Sequence, residues 1–168
     1  VWAASAQNGI WRSFDGGESW AAANAPVPHT YGQIALHPTD SDIFAYSTDQ
    51  ARITVDGGAS FQDFPLAWTG NDTSVRGLAF DGDRVYAAQL SGQVHRSDDL
   101  GRTWTSVGSL PAPDHEFMLI SGGHDEKEHL WLAVTSGGAV LAASSGNGVY
   151  RSTDGGESFV AVLEDHVS

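Results

Sequence analysis

RSFDGGESW at Arg12–Trp20, ITVDGGASF at Ile53–Phe61, RSDDLGRTW at Arg96–Trp104 and RSTDGGESF at Arg151–Phe159 are four copies of one phrase. Each sets Ser or Thr, then Asp, then Gly, then Ser or Thr, with a single residue between successive members, and an aromatic closes it. The aspartates are Asp15, Asp56, Asp99 and Asp154. They recur about every 42 residues, with a longer last interval, and a period of that size marks a stack of supersecondary units rather than one irregular core.

The phrase has the chemistry of a tight hairpin. Gly9, Ile10, Trp11 and Arg12 lead into the first copy and Gly148, Val149, Tyr150 and Arg151 into the last, while Phe159, Val160 and Val162 follow it, so strands flank a turn. Asp-Gly and Gly-Gly supply the positive φ angles of a close strand reversal. The carboxylate and the hydroxyl accept amide N–H groups that the turn leaves unpaired. The closing Trp or Phe brings a large apolar face to bury between sheets. On this reading Ser13, Asp15, Gly17 and Trp20 are structural. So are Thr54, Asp56, Gly58 and Phe61, then Ser97, Asp99, Gly101 and Trp104, and finally Ser152, Asp154, Gly156 and Phe159. All four aromatics are expected to be substantially buried.

The phrase resembles the Asp-box, or BNR repeat, of sialidases, sortilin-type receptor ectodomains, some glycoside hydrolases and Ycf48-like photosystem assembly factors. The resemblance covers nearly the whole chain, at the level of the repeat. It implies an all-β β-propeller of four-stranded antiparallel blades, with the phrase joining the third and fourth strands on the face opposite the ligand site. About four blades are expected within one domain, 1–168: they fall at 1–24, 32–65, 75–108 and 129–164, with an insertion at 109–128. The first lacks its opening strand. Propellers of this kind usually close with six or more blades, so the chain reads as a partial propeller or half ring. Its raw edges would be covered by self-association or by pairing with missing blades; a closed four-bladed ring is the alternative.

If the phrase marks one face, binding belongs on the other, where loops carry groups on a rigid frame. The candidates there are His29, Tyr31, Trp68, Arg76, Glu116 and His129. The longest link, Gly108 to Glu128, holds Asp114, His115, Glu116, His124, Asp125, Glu126 and Glu128, a mixture suited to metal ligation or acid/base work. No spacing in it matches a metal signature, so a solvated or packed insertion is the default, and neither metal nor cofactor is expected.

A sialidase would need a Phe-Arg-Ile-Pro-type motif and three arginines on the substrate carboxylate. The motif is absent; of the seven arginines Arg12, Arg96, Arg151 and Arg102 belong to the repeats, and among the others Arg76, near the expected axis, is the well-placed candidate, one arginine and not a triad. Two-carboxylate glycosidase chemistry has Asp72 and Glu116 to draw on, with nothing to fix their separation. The leading reading is therefore a noncatalytic binding or assembly scaffold for a protein or glycan. The alternative is part of a glycoside hydrolase whose catalytic residues lie largely outside this segment. A sortilin-like identity is disfavoured because that family adds a Cys-rich module and this chain has no Cys.

Charge narrows the partners. With 21 acidic residues against 8 basic the net charge is −13, and Lys127 is the sole lysine. That balance argues against nucleic acid and anionic membranes. It suits a protein kept soluble at high salt as well as an ordinary acidic one. No apolar run reaches membrane-spanning length. The sequon Asn71-Asp72-Thr73 gives a weak lean toward the cell surface or exterior.

Overall fold

The computed structural model describes residues 1–5, 9–23, 33–47, 50–66, 75–89, 91–110, 130–144 and 148–163. Among them the chain forms strands and turns with no helix. The first sheet holds β1 (Trp2–Ser5), β2 (Gly9–Arg12) and β3 (Ala21–Ala22). The second holds β4 (Ile34–Leu36), β5 (Phe44–Ser47), β6 (Ala51–Thr54) and β7 (Gln62–Asp63). The third holds β8 (Val75–Asp81), β9 (Arg84–Gln89), β10 (Gln93–Ser97) and β11 (Thr105–Ser109). The fourth holds β12 (Leu130–Val134), β13 (Val140–Ser144), β14 (Gly148–Ser152) and β15 (Val160–Leu163). Each sheet is an antiparallel meander whose strands neighbour one another in chain order.

The aspartate turns close the last hairpin of every sheet, and their hydrogen bonds explain why. The Ser or Thr hydroxyl accepts from the amide of the glycine two residues after the Asp at 2.7 Å in the first turn, 3.0 Å in the second, 2.8 Å in the third and 2.9 Å in the fourth. The same hydroxyl donates to the Asp at 2.7 Å in all four. The carboxylate then accepts both the amide and the hydroxyl of the Ser or Thr four residues on, as at Ser60 (2.9 and 2.5 Å) and Thr103 (2.8 and 2.6 Å). Because that second hydroxyl is committed to the turn, the last strands begin two residues beyond it, at Ala21, Gln62, Thr105 and Val160. The hydroxyl donors hold Asp56 and Asp99 down at about 2, and Asp15 and Asp154 lower still.

The sheets pack face to face, and successive side chains on a strand serve opposite interfaces. Tyr86 and Ala88 of β9 pack toward the fourth sheet with Leu132 and Val140, while Val85 and Ala87 pack toward the second with Ala45 and Ile53. Ile10 meets Phe44 and Tyr46 between the first and second sheets.

Each joint between sheets also seats the preceding sheet on the next aspartate turn. Arg12, just before the first turn, reaches over Gly57 of the second, where an added Cβ would stand 2.7 Å from its Nη1. Arg12 also pairs with Asp42 at 2.5 Å. Arg96 repeats the arrangement on the fourth turn, donating to the Gly155 carbonyl at 3.3 Å, and a Cβ at Gly155 would lie 2.9 Å from it. The middle joint departs from this. Ile53 stands in the arginine's place, and Leu100 replaces the glycine at φ 57°, the sole non-Gly residue with positive φ among those described. At these two positions Arg and Gly give way to Ile and Leu, and Leu100 joins the apolar cluster that Ile53 belongs to.

The four closing aromatics are not equally buried, contrary to expectation. Phe61, Trp104 and Phe159 are half-buried, whereas Trp20 is 40% exposed. The joints explain the difference: Trp104 lies 4.6 Å, centroid to centroid, from Phe64 of the preceding sheet, and among the described residues nothing precedes the first sheet to cover Trp20.

Three outcomes follow. Ser97 is 1% exposed, and Ser97→Ala strands the Gly101 amide, so a urea titration should register a loss of about 1–3 kcal/mol. The turn carboxylates titrate below their unfolded value of about 3.9, so their stabilisation is complete above that pH and is lost as pH falls through about 2. Melting temperatures should therefore decline over that acid window. Ile53→Arg should destabilise, and adding Leu100→Gly should recover part of the loss, with a coupling of about 0.5–3 kcal/mol in a double-mutant cycle; simple additivity would show that the two positions are independent.

Candidate functional site

The two ends of the sheets differ in chemistry. Every described carboxylate except Asp63 stands at the end that carries the aspartate turns, within a turn, in the β4–β5 and β8–β9 connections, or, for Asp81, at the last residue of β8. Arginines share that end: Arg84 pairs with Asp98 at 2.6 Å and Arg96 with the same carboxylate at 3.3 Å, while His37 approaches Asp83 at 3.3 Å. Asp63, on β7, pairs with Arg52 at 2.5 Å. Donation from Arg84 is the leading cause of the lowered pKa of Asp98.

The opposite end presents amides, hydroxyls and a guanidinium. Its organising residue is Gln33, immediately before β4. The Gln33 side-chain oxygen accepts from the Leu78 amide at 2.9 Å and the Leu132 amide at 3.4 Å, and its nitrogen donates to the Leu132 carbonyl at 3.1 Å. Its backbone exchanges bonds with Ser47, whose hydroxyl it meets at 2.8 Å. One side chain therefore ties together the opening strands of the second, third and fourth sheets. Gly77 allows the approach, since a Cβ there would come within 2.8 Å of the Leu132 side chain.

Of the candidate binding residues, Arg76 is half-buried on β8, where the pairing with β9 slips between Val75 and Gly77. His29, Tyr31, Trp68, Glu116 and His129 lie outside the described residues, as do Asp72 and the acidic and histidine residues of the long link. Two buried polar groups were not singled out by the sequence. Gln89 is fully buried opposite Val75, and neither of its amide atoms has a hydrogen-bond partner among the described residues. His95 is 4% exposed on β10, and burial pushes its pKa down, which keeps it neutral near pH 7. Among the described residues no three His, Asp or Glu side chains gather closely enough to hold a metal ion, and no helix is long and apolar enough to cross a membrane.

Comparison with proteins of known structure decides the architecture. No family model matches the chain. An ancestral GH74 enzyme superimposes on 98% of it with a TM-score of 0.72 at 22% identity. The fold is that of a β-propeller. The GH74 xyloglucanase of Xanthomonas campestris aligns with 94% of the chain (TM-score 0.59, 20% identity), and YCF48 bound to a D1 peptide also aligns with 94% (TM-score 0.63, 17% identity). In sequence, 121 residues, 68% of the chain, are 29% identical to a xyloglucanase from a Paenibacillus species. The chain spans 10% of that enzyme's length, 22% of each GH74 structure and 49% of the YCF48 chain. The four sheets are thus propeller blades, three of them four-stranded and the first three-stranded.

Gln33→Ala leaves the Leu78 and Leu132 amides without this acceptor. A loss of about 1–3 kcal/mol is expected, with faster hydrogen exchange at those two amides; unchanged exchange at both would show that the bridge does not hold the blades.

Proposed function

We propose that this chain supplies a ligand-binding arc of a propeller and performs no chemistry of its own, with a protein or glycan held at the end opposite the aspartate turns. The observation that supports this most is the segregation of the carboxylates. Those described are engaged by turns or stand at the turn end, apart from Asp63, which is paired with Arg52, while the other end offers hydrogen-bonding groups of the kind that recognise rather than transfer protons. Arg76, His29, Tyr31, Trp68, Glu116 and His129 are the residues proposed to line that end. YCF48, with its bound D1 peptide, is a precedent for a peptide on a propeller of this kind.

A second reading is favoured by the likeness to a xyloglucanase: the arc belongs to a glycan-active propeller, with xyloglucan as the ligand class. Hydrolysis would then need two carboxylates at a separation suited to inversion or retention, and Asp72 and Glu116 are examples of those expected on the binding side.

Calorimetry with xyloglucan oligosaccharides, alongside a reducing-sugar assay on the same preparation, separates the two. Binding without release of reducing ends is expected if the arc recognises a glycan and leaves it intact. Release that disappears in Asp72→Asn or Glu116→Gln would overturn the noncatalytic reading. The aspartate-turn variant Ser97→Ala should leave any ligand affinity unchanged at temperatures where it remains folded.

A further inference from the structure

Alternation along β9 turns Val85 and Ala87 toward the second blade, where they pack with Ala45 and Ile53, and it turns Gln89 the same way. His95 of β10 stands directly opposite Ala87, whereas its neighbours Val94 and Arg96 stand opposite Ala88 and Tyr86 and face the fourth blade. Gln89 and His95 are therefore diagonal neighbours on one face of the third blade, inside its joint with the second. They are 0% and 4% exposed. Among the described residues neither atom of the Gln89 amide has a hydrogen-bond partner, and His95 Nε2 has none either.

The described groups around this face leave a proton on His95 without a counter-charge. On β10 the flanking Gln93 donates to Ser106 at 2.7 Å and to the Gly108 carbonyl at 2.6 Å, and Ser97 is bound into the aspartate turn with Asp99. β11 sets Ser106 opposite His95. The second blade brings the apolar cluster of Ala45, Ile53, Phe64 and Leu66. Its charged pair, Arg52 with Asp63, lies on the far side of that sheet, because Arg52 is opposite Tyr46, which packs toward the first blade. Arg84 and Asp98 go with Arg96 to the fourth-blade side. His37 packs on Phe80 and pairs with Asp83 at the turn end, where Asp81 and Arg102 also stand. On β8 the charged group is Arg76, of the same sign as a protonated imidazole. Burial is accordingly what lowers the pKa of His95.

A charge on His95 in the closed joint is both buried and unpaired, a state far costlier than the neutral ring. Parting the two blades relieves it by admitting water. The same opening hydrates the Gln89 amide, whose two unpaired atoms weaken the closed form. Of the three described joints this is also the one without an arginine arm; packing of Trp104 on Phe64 and the bond from the Leu78 amide to Gln33 hold it instead.

We propose that the joint between the second and third blades is a proton-operated release: a charge on His95 parts the blades, and the neutral ring lets them close. The device belongs to the frame itself and is independent of which ligand the opposite end takes.

Trp104 reports the joint, because its ring lies on Phe64 of the second blade. NMR titration of the intact chain from about pH 7.5 to about 4.5, above the window of the turn carboxylates, follows the His95 ring and the Trp104 indole together, with His95→Gln and Trp104→Phe assigning the signals. The His95 midpoint is expected well below the ordinary value of about 6.5, and the Trp104 resonance should shift with the same midpoint. Because the ring binds its proton more weakly in the folded chain, stability is full above about pH 6.5 and declines with pH from there to the folded midpoint, by up to about tenfold in the folding equilibrium constant per pH unit. In His95→Gln, and in His95→Phe should the first variant fold poorly, this decline relative to the parent and the Trp104 shift should both vanish. Titration of His95 at about 6.5 would overturn the proposal, as would a Trp104 signal that stays put while His95 protonates, or the same pH dependence of stability in parent and variant.

Discussion

A backbone amide with no strand partner is the constraint on which this fold depends. Each aspartate turn places two consecutive residues in the left-handed region, and the amide of the second points away from any ladder. A single buried hydroxyl, from Ser13, Thr54, Ser97 or Ser152, accepts it. That hydroxyl must orient its own proton toward the aspartate, and the aspartate then fixes the Ser or Thr four residues on and, with it, the closing aromatic. The hairpin, the start of the last strand and the seat for the preceding blade are set by one chain of hydrogen bonds. Because its members polarise one another, it resists protonation far into acid.

Much of this was legible in the residues and some was not. The turns, the meander and the stacking of like units follow from the spacing of Asp, Gly and aromatic residues, since those positions have local requirements that a sequence displays. The exposure of Trp20 was not legible, because burial of the closing aromatic depends on a neighbouring blade rather than on the turn itself. The meaning of the first glycine was only half visible. Positive φ suggests glycine, yet Leu100 adopts it, so conformation alone does not demand Gly57 or Gly155. The arginine lying over each of them adds a second preference for glycine.

The candidate site was less legible than the fold. Of the residues put forward for binding, Arg76 is the described one, and it sits where β8 slips its register. Gln33 gave no signal, since a lone Gln before a short strand carries no pattern. Its importance arises from three opening strands converging within reach of one amide, a feature of tertiary placement. Gln89 and His95 were hidden for a related reason: strand alternation marks which residues turn inward but does not distinguish an apolar interior from one that encloses a polar group.

The exchange of Arg-Gly for Ile-Leu at the middle joint has a consequence for how such a chain can evolve. Each blade carries an acceptor type on one side and a donor type on the other, and the two need not agree. The second blade accepts arginine but presents isoleucine, while the third accepts isoleucine's apolar contact but presents arginine. A duplicated or shuffled third blade would therefore fit behind the second and misfit behind the first or the fourth. Order along the chain is written into the joints as a compatibility rule, so blades of nearly identical outline are not interchangeable, and a recombination event succeeds only when it moves both sides of a joint together.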